Sequence, residues 1–244
     1  MMLLGLMVAG LFAPASARAE PAHAGLPTRT VVELFTSQGC SSCPPADRLL
    51  GDLAADPSIV ALSLPVDYWD YLGWKDTLAS PRFTARQRAY SRARGDRDVY
   101  TPQMIVNGRV QVVGNDRARI EKAIGEARLG DDAVPVTLSL AKDRLKVAVG
   151  QAKAASASEV WICALTRQIA VSIGRGENRD RQVVYHNVVR RWHKIDNWNG
   201  ATANWDVPLE SIRSEGVDAA VVFIQRGSLD APGPMLGAAY VELN

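Results

Sequence analysis

Two cysteines separated by two serines, Cys40 and Cys43, are the residues of this sequence whose types and spacing best suit a chemical reaction. A pair at this spacing before a helix can exchange disulfides, because the helix N-terminus stabilises a thiolate and lowers the pKa of the first thiol. We expect Cys40 to be the nucleophile. Cys43, one turn deeper, would then be the resolving thiol that closes the disulfide and releases a bound partner.

Zinc sites, covalent haem and structural disulfides also use this spacing, so the pair alone leaves several functions open. Haem attachment requires a histidine after the second cysteine, where this sequence has Pro44. The further zinc ligands available are Cys163, His186 and His193, all in the second half of the chain, so we expect no metal site. Two alternatives remain: a non-enzymatic ligand-binding module with a structural disulfide, and a copper(I) carrier that Met104 would assist.

The first residues bear on the localisation of the protein, and the overall charge bears on its class of partner. Residues 1–12 are almost wholly apolar and residues 13–19 are mostly small, which is typical of a signal peptide cleaved after Ala19. We therefore expect a secreted or periplasmic protein with no stable membrane span after cleavage. The formal net charge of +2 does not favour nucleic acid as a partner.

The region from residue 30 to residue 128 alternates strands and helices. Its apolar spacing predicts strands at residues 31–35 and 59–66 and a helix at residues 44–54. Residues 81–94 are a second, more basic helix candidate. Asn107-Gly108 between two short apolar runs predicts a hairpin, and Asp116 is suited to cap a third helix. This order indicates a layered α/β unit in which the first two strands are joined by a parallel crossover.

The composition changes at residues 130–135, where glycine, aspartate and proline are typical of a linker. Beyond this point helical spacing largely disappears, and short alternating segments predict eight strands. We therefore expect two domains in the mature chain, at residues 20–129 and 134–244. The second is predicted to be an all-β, sandwich-like domain.

Three segments carry a family resemblance: residues 32–47 around the cysteines, residues 66–70 and residues 100–108. Together with residues 176–190 they resemble a family of secreted proteins, domain of unknown function 1223. The resemblance implies a thioredoxin-like fold for the first domain. The overall expectation is thus an α/β thioredoxin-like domain followed by an all-β sandwich-like domain.

The resemblance also implies roles for residues outside the cysteine motif. Pro102 is expected to follow a cis peptide bond and to face the cysteines, with the backbone of Thr101 open to an extended substrate. Glu33 could be a buried carboxylate that exchanges protons with the resolving thiol, or equally a partnered structural acid. Gly39 stands where thioredoxin usually has tryptophan, so the redox potential of thioredoxin cannot be carried over to this protein.

Aromatic residues follow the second predicted strand, with Tyr68 and Trp69 at the start of the loop. Ligand sites gather at the carboxyl ends of strands in open α/β sheets, so these two rings could line a substrate site, or equally they could pack in the core. Cys163 lies in an alternating apolar segment and is predicted to be a buried, inert thiol. The sequence thus indicates an exported thiol–disulfide oxidoreductase that acts on protein thiols or disulfides with a redox partner protein and needs no bound cofactor.

Overall fold

The computed structural model describes residues 29–129, 132–154 and 157–243. The predicted signal peptide at residues 1–19 lies outside these ranges. Within them the helices are α1 (Pro44–Ala54), α2 (Pro81–Arg94) and α3 (Arg117–Glu126). The strands are β1 (Thr30–Thr36), β2 (Ile59–Pro65), β3 (Gln103–Val106), β4 (Val110–Val113), β5 (Val136–Ala141), β6 (Arg144–Val149), β7 (Ser158–Ser172), β8 (Gln182–Trp198), β9 (Ala203–Pro208), β10 (Ala219–Ser228) and β11 (Ala231–Glu242).

One mixed sheet of eight strands runs through the molecule in the order β11-β10-β7-β8-β2-β1-β3-β4. The two halves of the chain meet where Ser63 of β2 pairs in parallel with Val188 of β8. The predicted fold class, an α/β thioredoxin-like domain followed by an all-β sandwich-like domain, is therefore wrong. All seven residues of β2 are buried, and β8 covers the edge that β2 would otherwise expose.

The second sheet, β5-β6-β9, packs on one face of the large sheet. Its apolar residues, among them Leu145 and Val147, form a shared core with Ile162, Val222 and Ile224 of the large sheet. Short alternating strands therefore do produce face-to-face sheet packing, but one of the two layers also contains the strands from the first half of the chain.

The two long helices form where the spacing predicted them and pack on opposite faces of β1. Prolines in the first turn of each helix are tolerated because the first amides have no helical partner. Leu34 belongs to the core beneath α1, whereas Phe35 belongs to the core beneath α2. Alternation along β1 thus divides its side chains between two cores.

The predicted hairpin is confirmed, since β3 and β4 pair antiparallel around Asn107 and Gly108. Both residues have positive φ angles, 47° and 65°, as this turn dipeptide prefers. The Asn107 side chain is buried, accepts from the Val31 amide at 2.7 Å and donates to the Ala127 carbonyl at 2.8 Å. The turn therefore also ties β1 to the end of α3. Within the described ranges, no helix combines the length and apolar character needed to cross a membrane.

Candidate functional site

Cys40 and Cys43 are joined in a disulfide at the start of α1, with their Cα atoms 5.4 Å apart. The predicted position of the pair, between β1 and α1, is confirmed. Cys43 immediately precedes the helix, and its carbonyl accepts from the amides of Ala46 and Asp47 at 2.8 and 3.0 Å. The sulfurs therefore lie at the positive end of the helix dipole, which favours negative charge.

The disulfide is largely covered by protein. Cys40 is 3% exposed and Cys43 is 0% exposed, whereas Ser41 and Ser42 between them are exposed. The Ser42 hydroxyl lies 3.5 Å from Cys40 Sγ. Cys40 is therefore the more accessible of the two cysteines, and a reagent can reach the disulfide only through the small exposed part of Cys40.

Trp69, predicted as a substrate-site residue, lies between the cysteine motif and Thr101. Its indole N–H donates to the Thr101 hydroxyl at 2.8 Å. A Cβ added at Gly39 would lie 3.0 Å from Trp69 Cβ, so the glycine permits the close approach of this loop. Tyr68 lies beside Trp69, and Tyr71, 77% exposed, stacks on the other side of that ring.

The Thr101–Pro102 peptide bond is cis, as the family resemblance implied. Pro102 lies close to the first turn of α1, because Pro102 and Ala46 both contact the position where Gly114 would carry a Cβ. Thr101 is half-buried, and its backbone N–H and carbonyl form no hydrogen bond with the described residues. The structure thus brings Thr101, Pro102 and Trp69 together beside the cysteine pair.

Asn178, in the turn between β7 and β8, holds the cysteine loop in place. Its side-chain amide donates to the Gln38 carbonyl at 3.0 Å and to the Cys40 carbonyl at 2.7 Å. Gln38 is fixed further by Trp74 and Asp76, which contact its side chain and its amide. The sequence points to this turn only through the family resemblance of residues 176–190, because a fully buried asparagine cannot be recognised from its neighbours.

Replacing Asn178 by alanine is expected to loosen this loop. The carbonyls of Gln38 and Cys40 would lose a buried donor, which costs about 1–3 kcal/mol. Urea unfolding of the oxidised protein measures this loss. Glu177→Ala, an exposed position in the same turn, is the matched control, and equal stability of the two variants would contradict the bracing role.

Glu33 lies on the α2 side of the sheet, opposite to α1. Its carboxylate accepts from Arg86 Nε at 2.6 Å and from the Tyr90 hydroxyl at 2.5 Å. Arg86 also donates to Gln225, and its guanidinium lies over the ring of Trp192. Both oxygens of Glu33 are thus engaged away from the cysteines, which favours the structural interpretation of this residue.

Asp47, one turn after Cys43, is a buried acid that the sequence analysis missed. It is 2% exposed, and neither carboxylate oxygen makes a hydrogen bond of ordinary geometry, although the Thr36 side chain lies beside the carboxylate. Burial raises the pKa of Asp47 from 3.8 to about 8; Asp76 raises it further, whereas Thr36 and Arg48 lower it. An aspartate on the apolar stripe of α1, between Ala46 and Leu50, was the available signal.

The remaining candidates are not part of this site. Cys163 is a free, fully buried thiol, as predicted, and burial raises its pKa well above the usual value. Met104 is buried in the core beneath α1. Histidines, cysteines and acids form no group of three or more suited to a metal ion in the described part of the chain.

The fold and the site define a protein built on a mixed eight-stranded sheet, with a bonded cysteine pair at the start of a helix. The chain belongs to the family described as "Protein of unknown function (DUF1223)", whose model matches residues 31–225. The resemblance stated from the motifs is therefore confirmed.

Two solved structures are similar to this chain. The X-ray crystal structure of a protein from Agrobacterium tumefaciens has a TM-score of 0.80 and 33% sequence identity, and the match covers 91% of this chain and 97% of that one. HBP35 of Porphyromonas gingivalis has a TM-score of 0.65 and 14% identity, with 89% and 76% covered. At this lower identity the likeness shows the fold alone. No curated protein matches the chain.

Proposed function

We propose that this protein is an exported oxidoreductase that exchanges disulfides with protein substrates through Cys40 and Cys43. The observation that carries the proposal is the bonded pair at the start of α1, next to the unpaired backbone of Thr101. A thiolate at Cys40 would be stabilised by the positive end of the α1 dipole. Its reactivity follows from this position, and no cofactor takes part.

The exchange proceeds in two steps when the protein acts as an oxidant. A substrate thiolate attacks Cys40 Sγ, which breaks the Cys40–Cys43 bond, forms a mixed disulfide and releases Cys43 as a thiolate. The second substrate thiolate then attacks the substrate sulfur of that mixed disulfide and releases Cys40. Two electrons pass to the cysteine pair, the substrate leaves as a disulfide, and the reverse sequence reduces a substrate.

Thr101 and the neighbouring aromatic rings would bind the substrate chain. An extended peptide can pair with the free N–H and carbonyl of Thr101, as in strand addition at a sheet edge. Trp69 and Tyr71 offer ring faces to apolar side chains of the same peptide. The partners are accordingly protein thiols or disulfides and a redox protein that resets the pair, in a secreted or periplasmic setting.

Titration against glutathione redox buffers tests this function. An exchanger is expected to reach equilibrium with these buffers and to have a reduction potential above about −300 mV, because structural disulfides fall below that value. Mass spectrometry after alkylation counts the reduced thiols at each ratio. Cys163→Ser is the control and is expected to leave the midpoint unchanged, since that thiol is buried and free.

A structural disulfide in a ligand-binding module is the second candidate, and the 3% exposure of Cys40 favours it. A ligand would then occupy another place, such as the open groove of about 700 Å³ between β8 and β9. Trp198 and Trp205 line this groove together with Asp196. A disulfide that stays oxidised in every glutathione buffer would support this candidate and exclude the first.

A further inference from the structure

Four buried polar side chains meet between α1 and the large sheet without hydrogen-bond partners among the described residues: Thr36, Asp47, Ser63 and Tyr185. We call these four residues the buried polar patch. Ser63 pairs with Leu34, which faces α1, so its hydroxyl points to the same side of the sheet. Unpaired polar groups buried together in this way are typical binding places for ordered water.

Three titratable groups lie around Asp47, on its own helix and on the segments that pack against this helix. Asp76, in the loop after β2, and Tyr185, in β8, lie on the sheet side, and Arg48 is its neighbour on α1. Burial raises the pKa of Asp76 as well, although the amides of Gln38 and Leu78 donate to that carboxylate. Asp47 alone in this group has both oxygens unpaired.

Asp47 also lies one helical turn from Cys43, where it can exchange a proton with the thiol of that residue. Cys43 has helical backbone angles, and residues four apart in a helix have Cβ atoms about 5–6 Å from each other. Because Cys43 is 0% exposed, a thiolate released there has no direct contact with bulk water. A buried thiolate without a counter-charge is costly, so a nearby proton source would favour the step that releases it.

We propose that Asp47 is the positioning and proton-storing residue of the exchange reaction, and that water in the buried polar patch relays its proton to and from Cys43 Sγ. This inference rests on the proposed function. When the disulfide is reduced, Cys43 leaves as a thiolate, the Asp47 carboxylic acid gives up its proton, and Cys43 becomes a thiol. In the reverse direction Cys40 is held in a mixed disulfide with the substrate; the Asp47 carboxylate takes the Cys43 proton as Cys43 Sγ attacks Cys40 Sγ, which breaks the mixed disulfide and releases the substrate sulfur as a thiolate.

Carboxyl-carbon NMR of the wild-type protein tests the storage of the proton directly. Asp47 is expected to titrate near pH 8 in the oxidised protein, and at a different pH after reduction, because Cys43 then shares the patch. Asp47→Asn assigns the signal by its loss. A titration near pH 4, or one that is the same in both redox states, overturns the proposal.

Thermal unfolding of the oxidised protein gives a second readout with a defined sign. A raised pKa means that the folded state holds a proton that the unfolded state loses above about pH 4. The wild-type Tm is therefore expected to fall more steeply between pH 4 and pH 8 than that of Asp47→Asn. Parallel Tm curves for the two proteins would count against a stored proton.

Reduction by dithiothreitol, followed by stopped flow, separates this inference from the function on which it rests. At pH 7, Asp47→Asn is expected to reduce at least about tenfold more slowly than wild type, with the difference closing above pH 9. Asp52→Asn, an exposed acid on the same helix, is the control and should match wild type. Equal rates for Asp47→Asn and wild type overturn the inference alone; a wild-type disulfide that resists dithiothreitol overturns both.

Discussion

Cys43→Ser is expected to form a stable mixed disulfide with one half of a model peptide dimer that is linked by a single intermolecular disulfide, because the released half then diffuses away. The remaining Cys40 thiolate attacks the peptide disulfide, forms a bond to one sulfur and releases the other as a thiol. Without Cys43 no internal thiol can displace the peptide, so one equivalent of adduct accumulates, whereas wild type turns over. Mass spectrometry under non-reducing conditions measures the adduct.

Cys40→Ser is the matched variant for this experiment. It leaves Cys43, which is fully buried, as the thiol of the motif, so we expect no adduct within the time in which Cys43→Ser reacts to completion. Cys163 is present in both proteins and serves as an internal reference. Equal labelling of the two variants would show that the order of nucleophile and resolving thiol is wrong.

Replacing Arg86 by methionine is expected to cost the folded protein about 3–5 kcal/mol. Arg86 and Glu33 are both about 1% exposed, and the substitution leaves the Glu33 carboxylate buried without its counter-charge. Contacts of the guanidinium with the rings of Tyr90, Trp192 and Phe223 are lost at the same time. Denaturant unfolding at neutral pH measures the change.

Arg88→Met, on the exposed side of the same helix, is the control and is expected to change stability by less than about 0.5 kcal/mol. Replacing both members of the pair, as Glu33→Leu with Arg86→Met, should recover part of the loss because no buried charge is then left alone. A single Arg86→Met variant as stable as Arg88→Met would show that the ion pair contributes nothing to the fold.

The parts of the fold that the sequence predicted correctly depend on neighbours in the chain. Helices α1 and α2 each begin at a proline, α1 also follows an apolar stripe, and the observed bounds of both equal the predicted ones. The Asn107-Gly108 turn is similarly local. Such features follow from backbone preferences that a short segment expresses by itself.

The errors arose where distant segments pair. The contact of Ser63 with Val188, which unites the two halves in one sheet, has no signature in either strand. The apolar segments at residues 160–166 and 169–173 indicate two of the eight short strands expected from the sequence. They form one strand, β7, because pairing with β8 continues through the polar residues between them. Strand pairing across such a separation is set by tertiary packing rather than by local pattern.

The candidate site divides in the same way. Cys40 and Cys43 could be named from spacing, and Thr101 and Trp69 from a family motif and a loop position; the structure places all four together. Asn178 could not be assigned, since its contact with Cys40 spans 138 residues. Asp47 could have been noticed, because a charged residue interrupts the apolar stripe of its helix.

The hydrogen bonds from Asn178 have a consequence for the newly made chain. Both cysteines leave the ribosome long before residue 178 exists, so for much of synthesis their loop lacks the amide that fixes it. The edge of β2 likewise has no pairing strand until β8 has been synthesised. The nascent cysteines are therefore free to pair with other thiols during synthesis, and the native disulfide is held in place only when the second half of the chain has folded.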